Sequence, residues 1–179
     1  AFVTEACATI DPNGLLAKMG IKDTADLGAF SIAVIGIFNI VGTVTAGALG
    51  GRYSKRLLLA GIYMARTVLF SWFILTPMTP VTVLIFSSLI GSLWLATVPL
   101  TSGLVAYIYG LRYMGTLYGL VFLSHQIGSF VGVWLGGDFY DRFGSYDVVW
   151  WVGVGTGLLS AVVHLPVRER PIQDRAVMA

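Results

Sequence analysis

Charged residues are scarce in this chain. They make up 11% of its 179 residues, and 56% of the residues are hydrophobic. A soluble domain needs roughly a quarter of its residues charged to cover its surface. A large buried core would therefore have no wet surface around it, so the composition excludes an ordinary soluble domain. The mean hydropathy of +0.83 indicates embedding in a membrane.

Cysteine is almost absent as well. Cys7 stands alone, which excludes a disulfide framework and any cysteine-rich metal site. We expect no metal or other cofactor and no catalytic residues. The net charge is only +2, and the basic residues sit in loops rather than along one stripe. This pattern argues against a nucleic-acid partner.

Four long stretches contain no Asp, Glu, Lys or Arg. They lie between Leu27 and Gly51, Thr67 and Leu111, Tyr113 and Gly137, and Val148 and Val167. Such lengths suit membrane-spanning helices and exceed those of barrel strands. The sequence thus predicts an all-α polytopic membrane bundle over residues 1–166, followed by a tail at 167–179. The expected segments are a stub near 1–10 and spans near 28–50, 57–76, 81–109, 114–136 and 148–165.

The basic residues divide unequally between the two sides of such a bundle. Seven fall on one side and three on the other. The first set is Arg52, Lys55, Arg56, Arg112, Arg168, Arg170 and Arg175; the second is Lys18, Lys22 and Arg142. The positive-inside rule then predicts a protein of the cell membrane with its C-terminus and the tail in the cytoplasm.

Proline interrupts the third predicted span. Pro99 has no N–H to donate and is expected to kink the helix there. Thr97, Thr101 and Ser102 lie close enough along the chain to bond the carbonyl groups that a kink frees.

The fourth span carries a stripe of small residues. Ser124, Gly128, Gly132 and Gly136 recur at every fourth position, which places them on one slowly turning face of a helix. Small residues allow a second membrane helix to approach closely. We expect a tight helix–helix contact along this face.

Two polar side chains sit beside that stripe. A bare polar group in hydrocarbon costs several kcal/mol. His125 and Gln126 must therefore have protein partners or line a wet cavity. Either residue fits a solute or proton path, and either fits a plain interhelical hydrogen bond. Both interpretations stay open.

Further polar groups lie deep in other spans. Arg66 is ten residues past Arg56, about 15 Å along a helix axis and close to the middle of the bilayer. It is a candidate for holding a carboxylate, and equally a candidate scaffold residue. Asn39 is a second candidate, and Glu5 is the only carboxylate at a plausible depth. His164 is expected at the membrane interface.

Several segments together resemble the C-terminal half of a major facilitator superfamily permease. The closest branch comprises the bacterial monocarboxylate and oxalate/formate carriers. The resemblance rests on GRYSKR at 51–56, PLTSGLV at 99–105, GLRYMGTLYGLVFLSHQIGSF at 110–130 and DFYDRFGSYD at 138–147. It implies a C-terminal six-helix half whose first helix is truncated. It also implies a cytoplasmic loop motif, here assigned to Arg52, Lys55, Arg56 and Arg112.

The sequence departs from that family pattern at two places. Gly51 stands where the loop motif usually has an acidic residue. Animal monocarboxylate carriers have an Asp and an Arg at the positions that align with Asn39 and Thr43. Their proton-coupling scheme is therefore not carried over to this chain.

The leading interpretation is secondary active transport by alternating access. The solute would be small, an organic anion such as a monocarboxylate, with or without a coupled proton. The expected partners are the solute, the lipid bilayer and an N-terminal half of about six more spans preceding Ala1. One alternative is an intramembrane serine hydrolase that pairs Ser102 with His125 or His164, although Leu100 replaces the glycine usual before that serine. The other is a non-transporting sensor or assembly subunit.

Overall fold

The computed structural model describes residues 24–172 except Met78. Within these residues the chain forms α-helices and no strands. The prediction of an all-helical fold is thus confirmed. The helices are α1 (Thr24–Gly50), α2 (Lys55–Leu75), α3 (Pro80–Trp94), α4 (Thr97–Tyr109), α5 (Met114–Phe143) and α6 (Asp147–His164). The expected stub at 1–10, with Glu5 and Cys7, lies outside the described residues.

The turns between these helices follow from local chemistry. The Thr79 hydroxyl accepts from the Thr82 amide and the Thr82 hydroxyl accepts from the Thr79 amide, so α3 begins in a capping box with Pro80 in its first turn. Helix α5 ends at Gly144, whose φ of 67° lies in the left-handed region that glycine adopts without strain. Sharp helix ends of this kind allow the chain to reverse within a few residues.

Within the described part of the chain, five segments are long and apolar enough to cross a membrane. They are Asp26–Gly50, Lys55–Leu75, Pro80–Tyr109, Met114–Phe143 and Asp147–His164. The third segment consists of two helices, α3 and α4, joined end to end with a short interruption between them. A single predicted span is therefore a discontinuous helix, and this interruption organises the candidate site described below.

Helices α1 and α3 pack closely because glycines line their contact. A Cβ atom placed on Gly42 would lie 1.9 Å from the carbonyl oxygen of Ser92, and one placed on Gly91 would lie 2.8 Å from that of Ile35. Backbone meets backbone at both points. This is how membrane helices gain dispersion contact where lipid offers no hydrophobic drive.

Helices α2 and α6 form the second close pair. Gly157 of α6 faces the hydroxyl of Thr67, with 2.6 Å between that oxygen and a Cβ built on the glycine. Near the C-terminal end of α2, the Phe73 ring stacks on the Phe86 ring with 4.1 Å between their centroids. The Trp150 ring lies 5.6 Å from that of Phe73. These aromatic rings connect α2, α3 and α6.

Helix α5 stands apart from the other five. None of its residues is buried, and it makes only slight contact with α4 and α6. Its apolar side chains, such as Phe130 at 72% exposure and Val133 at 80%, have no protein cover within residues 24–172. Much of its surface is thus available to lipid or to further protein.

The close contact between α1 and α3 gives a direct prediction. Gly42→Ala places a methyl group against the Ser92 backbone, so we expect a loss of about 1–3 kcal/mol of stability, measured as a lower melting temperature in detergent. Gly47→Ala on the same helix is the matched control, because a Cβ there meets no atom within 4 Å. Equal melting temperatures for the two variants would contradict the observed packing.

Candidate functional site

The interruption between α3 and α4 lies near the middle of the third membrane segment. Leu95 and Ala96 separate the helices, 15 residues after Pro80 and 13 before Tyr109. At 1.5 Å per residue this is mid-bilayer depth. An interruption there exposes backbone groups that water cannot reach, so protein groups must satisfy them.

Arg66 of α2 bonds the end of α3. Its Nη2 donates to the carbonyl oxygens of Leu93 and Trp94, two of the last carbonyls of that helix. The guanidinium also lies over the Tyr63 and Trp94 rings, 5.4 and 5.9 Å from their centroids. A cation at a helix C-terminus is favourable for the dipole as well as for the hydrogen bonds.

The contacts of Arg66 are not complete. Its Nε is buried and has no hydrogen-bond partner among the described residues. Two carbonyl acceptors hold one side of the guanidinium, and a donor is left over. Arg66 thus holds the end of α3 through Nη2, and its Nε can still donate to one more acceptor.

Asn39 of α1 bonds the interruption from the other side. Its Oδ1 accepts from the Leu95 amide at 3.1 Å. The same side chain borders an open cavity of about 410 Å³ between α1 and the interruption. The cavity is lined by Gly36, Asn39, Ile40, Thr43, Val44 and Leu95. The sequence-predicted candidates Asn39 and Arg66 therefore meet at one structural feature from opposite sides.

The sequence predicts that Pro99 disturbs this span, and the interruption at Leu95–Ala96 lies one turn before it, where a proline removes the i→i−4 hydrogen bond to the Leu95 carbonyl. Pro99 occupies the first turn of α4, where its missing N–H is tolerated. The Leu95 carbonyl accepts instead from Val98, at 3.0 Å. Of the three hydroxyl residues expected to help, Ser102 donates to the Pro99 carbonyl.

The small-residue stripe of α5 contacts no other helix of the described chain. Cβ atoms built on Gly128, Gly132 and Gly136 meet no atom within 4 Å. The Ser124 hydroxyl donates only to the Val121 carbonyl of its own helix. The close contact expected along this face is therefore not formed within residues 24–172.

His125 and Gln126 are exposed on the same helix. The His125 ring lies 6.1 Å from that of Phe122, one turn away. Neither side chain has a hydrogen bond to another described residue. The structure does not bring them together with Asn39 or Arg66.

The residues of the hydrolase alternative are otherwise engaged. The Ser102 hydroxyl donates to Pro99, and His164 Nδ1 lies 2.7 Å from the Ser160 carbonyl while its ring packs on Tyr63. Within the described part of the chain, no hydrogen bond joins Ser102 to either histidine. The nucleophile–base contact that serine hydrolysis requires is absent from this geometry.

The basic loop forms a second polar region at one end of the bundle. The Glu169 carboxylate accepts from the Ser54 hydroxyl at 2.6 Å and from the Lys55 amide at 3.1 Å, and it pairs with Lys55 Nζ at 3.7 Å. Burial alone would raise the pKa of Glu169, but these hydrogen bonds and the lysine charge hold it below its usual range. The clamp therefore persists at neutral pH and loosens only as the pH falls through that lowered pKa. Arg112 lies elsewhere, stacked over Tyr113 at 5.3 Å.

Sequence reasoning missed Glu169 and the glycines of the α1–α3 contact. Glu169 was detectable as the one acid between Arg168 and Arg170, directly after a predicted span. Ser87 and Gly91 of α3 have the four-residue spacing of small residues that allows a second helix to approach closely.

Comparison with known proteins gives one family and one curated relative. The family model described as Major Facilitator Superfamily matches residues 15–176. An uncharacterized MFS-type transporter, YcxA of Bacillus subtilis (strain 168), is 27% identical over 139 residues. The match covers 75% of this chain and 34% of that protein, so the chain spans about a third of the relative's length. No solved structure matches the chain significantly.

The contacts of Arg66 predict how its variants behave. Arg66→Gln removes the cation and most of its donors, leaving the carbonyls of Leu93 and Trp94 unpaired. We expect a loss of about 1–3 kcal/mol, seen as a lower melting temperature in detergent. Arg66→Lys keeps the charge without the planar fork, so its melting temperature is expected to lie between those of Arg66→Gln and the unmodified protein.

Arg112→Gln is the matched control, because that arginine contacts only an aromatic ring and makes no described hydrogen bond. Its melting temperature should stay near that of the unmodified protein. A fully stable Arg66→Gln variant would show that the guanidinium does not hold the end of α3.

Proposed function

Because this chain belongs to the Major Facilitator Superfamily, we propose that it forms part of a secondary transporter that moves a small solute by alternating access. It is a multi-pass membrane protein of a transporter family, not an enzyme.

The observation that carries this proposal is the discontinuous helix. Broken helices in transporters present backbone groups and helix ends at mid-membrane depth, where solutes bind. Here the interruption at Leu95–Ala96 borders the cavity that contains Asn39 and Thr43. We assign the solute site to this cavity, with the Asn39 and Thr43 side chains as its polar contacts.

An organic anion fits the charge at this place. The Arg66 cation lies at the interruption, bonded to the Trp94 carbonyl, and sets a positive field there. The described residues of α1–α4 place no carboxylate near the interruption to neutralise this field. A monocarboxylate is the narrower proposal, and it draws on the family branch that the sequence resembles.

Further spans of the same protein supply the opposite wall of the site. The supporting observation is α5, whose small-residue stripe and polar pair, His125 and Gln126, are exposed. Such a face suits close contact with another helix better than contact with lipid. Once covered, His125 and Gln126 would gain the partners that they lack within the described chain, or would line the solute and proton path between the two halves.

The positive-inside rule gives the orientation of this arrangement. The loop with Arg52, Lys55 and Arg56 and the C-terminal tail would face the cytoplasm, and the turn at Gly144 would face outward. The protein would then reside in the cell membrane.

Solute counterflow tests the proposed activity. The protein, reconstituted together with its further spans in liposomes loaded with short-chain carboxylates, should accumulate labelled carboxylate from outside. Asn39→Leu removes the amide from the cavity and the partner of Leu95, so we expect uptake to fall about tenfold or more.

The control for this variant is Thr45→Val on the same helix. The Thr45 hydroxyl donates only to carbonyls of α1 itself, Val41 and Gly42, so uptake should be nearly unchanged. Equal uptake by both variants would place the solute away from Asn39. Absence of counterflow with every carboxylate tested would exclude a short-chain carboxylate as the solute.

A further inference from the structure

A cavity of about 790 Å³ opens at the end of the bundle where the chain enters α2 and leaves α6. Its lining includes five basic residues and a single acidic one. The basic residues are Arg52, Lys55, Arg56, Arg168 and Arg170; the acidic residue is Glu169. They come from two segments more than a hundred residues apart, so the fold concentrates their charge in one place.

Only part of this positive charge is used by the protein itself. Glu169 pairs with Lys55, and Arg56 donates to the carbonyls of Leu165 and Val167. These contacts fix the tail across the start of α2. They also shape one wall of the cavity.

Three arginines remain. The side chains of Arg52, Arg168 and Arg170 are exposed and have no hydrogen bond or ion pair with the rest of the described chain. Each guanidinium offers several donors in a plane, a geometry that suits two oxygens of a phosphate at once. The cavity therefore carries an uncompensated charge and a donor set for a phosphate-bearing ligand.

The level of the cavity favours a lipid over a soluble anion. It lies directly at the ends of apolar membrane segments, beside Tyr53 and Tyr107, which are 62% and 47% exposed. Tyrosines at such ends mark the headgroup level of a bilayer. Just along α2, Leu57 is 54% exposed, and Leu165 after α6 is 51% exposed. Polar headgroup contacts thus stand next to apolar surface for acyl chains.

We propose that this cavity binds the phosphate headgroup of an anionic phospholipid, with Arg52, Arg168 and Arg170 as its contacts. Orientation signals alone do not account for the arrangement. The positive-inside rule counts basic residues near span ends and does not require two distant segments to surround one cavity. Basic pockets between membrane helices bind anionic headgroups through this same combination of charge and depth.

Lipid binding to the detergent-purified protein tests the site. Native mass spectrometry with added phosphatidylglycerol should show a bound lipid in preference to phosphatidylcholine. The double variant Arg168→Gln/Arg170→Gln should weaken phosphatidylglycerol binding roughly 10- to 30-fold, since each of the two basic residues near a membrane surface contributes about three- to fivefold in affinity. Arg112→Gln, a basic residue outside the cavity lining, should bind like the unmodified protein.

A third arm separates a lipid from a free anion. Inorganic phosphate should not compete with phosphatidylglycerol at millimolar concentration; competition would assign the cavity to a soluble phosphate and overturn the lipid proposal. Equal binding of the two lipids, or an equal loss in Arg112→Gln, would also overturn it. Arg52→Gln, a single variant in the other segment, should show a selective loss of about three- to fivefold, which keeps the test decisive if the double variant does not fold.

Discussion

A backbone carbonyl at the centre of a membrane cannot be left without a hydrogen bond, and the rest of this structure depends on how that requirement is met between α3 and α4. The interruption at Leu95–Ala96 exposes carbonyls on one side and an amide on the other. Arg66 satisfies the carbonyls from α2, and Asn39 satisfies the amide from α1. Each neighbouring helix thus contributes one polar side chain at mid-membrane depth, where such a residue is otherwise costly.

This arrangement links packing to the proposed transport site. Close approach of α1 to α3 at Gly42 and Gly91 keeps α1 near the interruption, so that Asn39 reaches Leu95. The same approach leaves the cavity beside Asn39 open on the opposite face. A second half that moves against this face would meet backbone groups already held in place, which limits the cost of ordering the site when a solute binds.

The helical architecture could be predicted from the sequence because charge-free stretches of membrane length leave few alternatives. Asn39 and Arg66 could be singled out because polar side chains in such stretches stand out one at a time. Their common partner could not, since the break at Leu95–Ala96 involves backbone atoms of two apolar residues. Pro99 marked the right span, and the break lies one turn before it, at the Leu95 carbonyl to which a proline cannot donate. The small-residue face of α5 was recognised from its spacing, but within residues 24–172 no helix packs closely against it.

Hydrogen–deuterium exchange at the Leu95 amide tests the central claim most directly, namely that side chains from two other helices hold the broken span. In the unmodified protein the Asn39 bond should slow exchange at Leu95. In Asn39→Leu that amide should exchange faster, while the Gly110 amide, which is bonded within its own helix end to Ala106, should keep its rate. Unchanged exchange at Leu95 would show that Asn39 does not hold the interruption, and the proposed organisation of the site would be wrong.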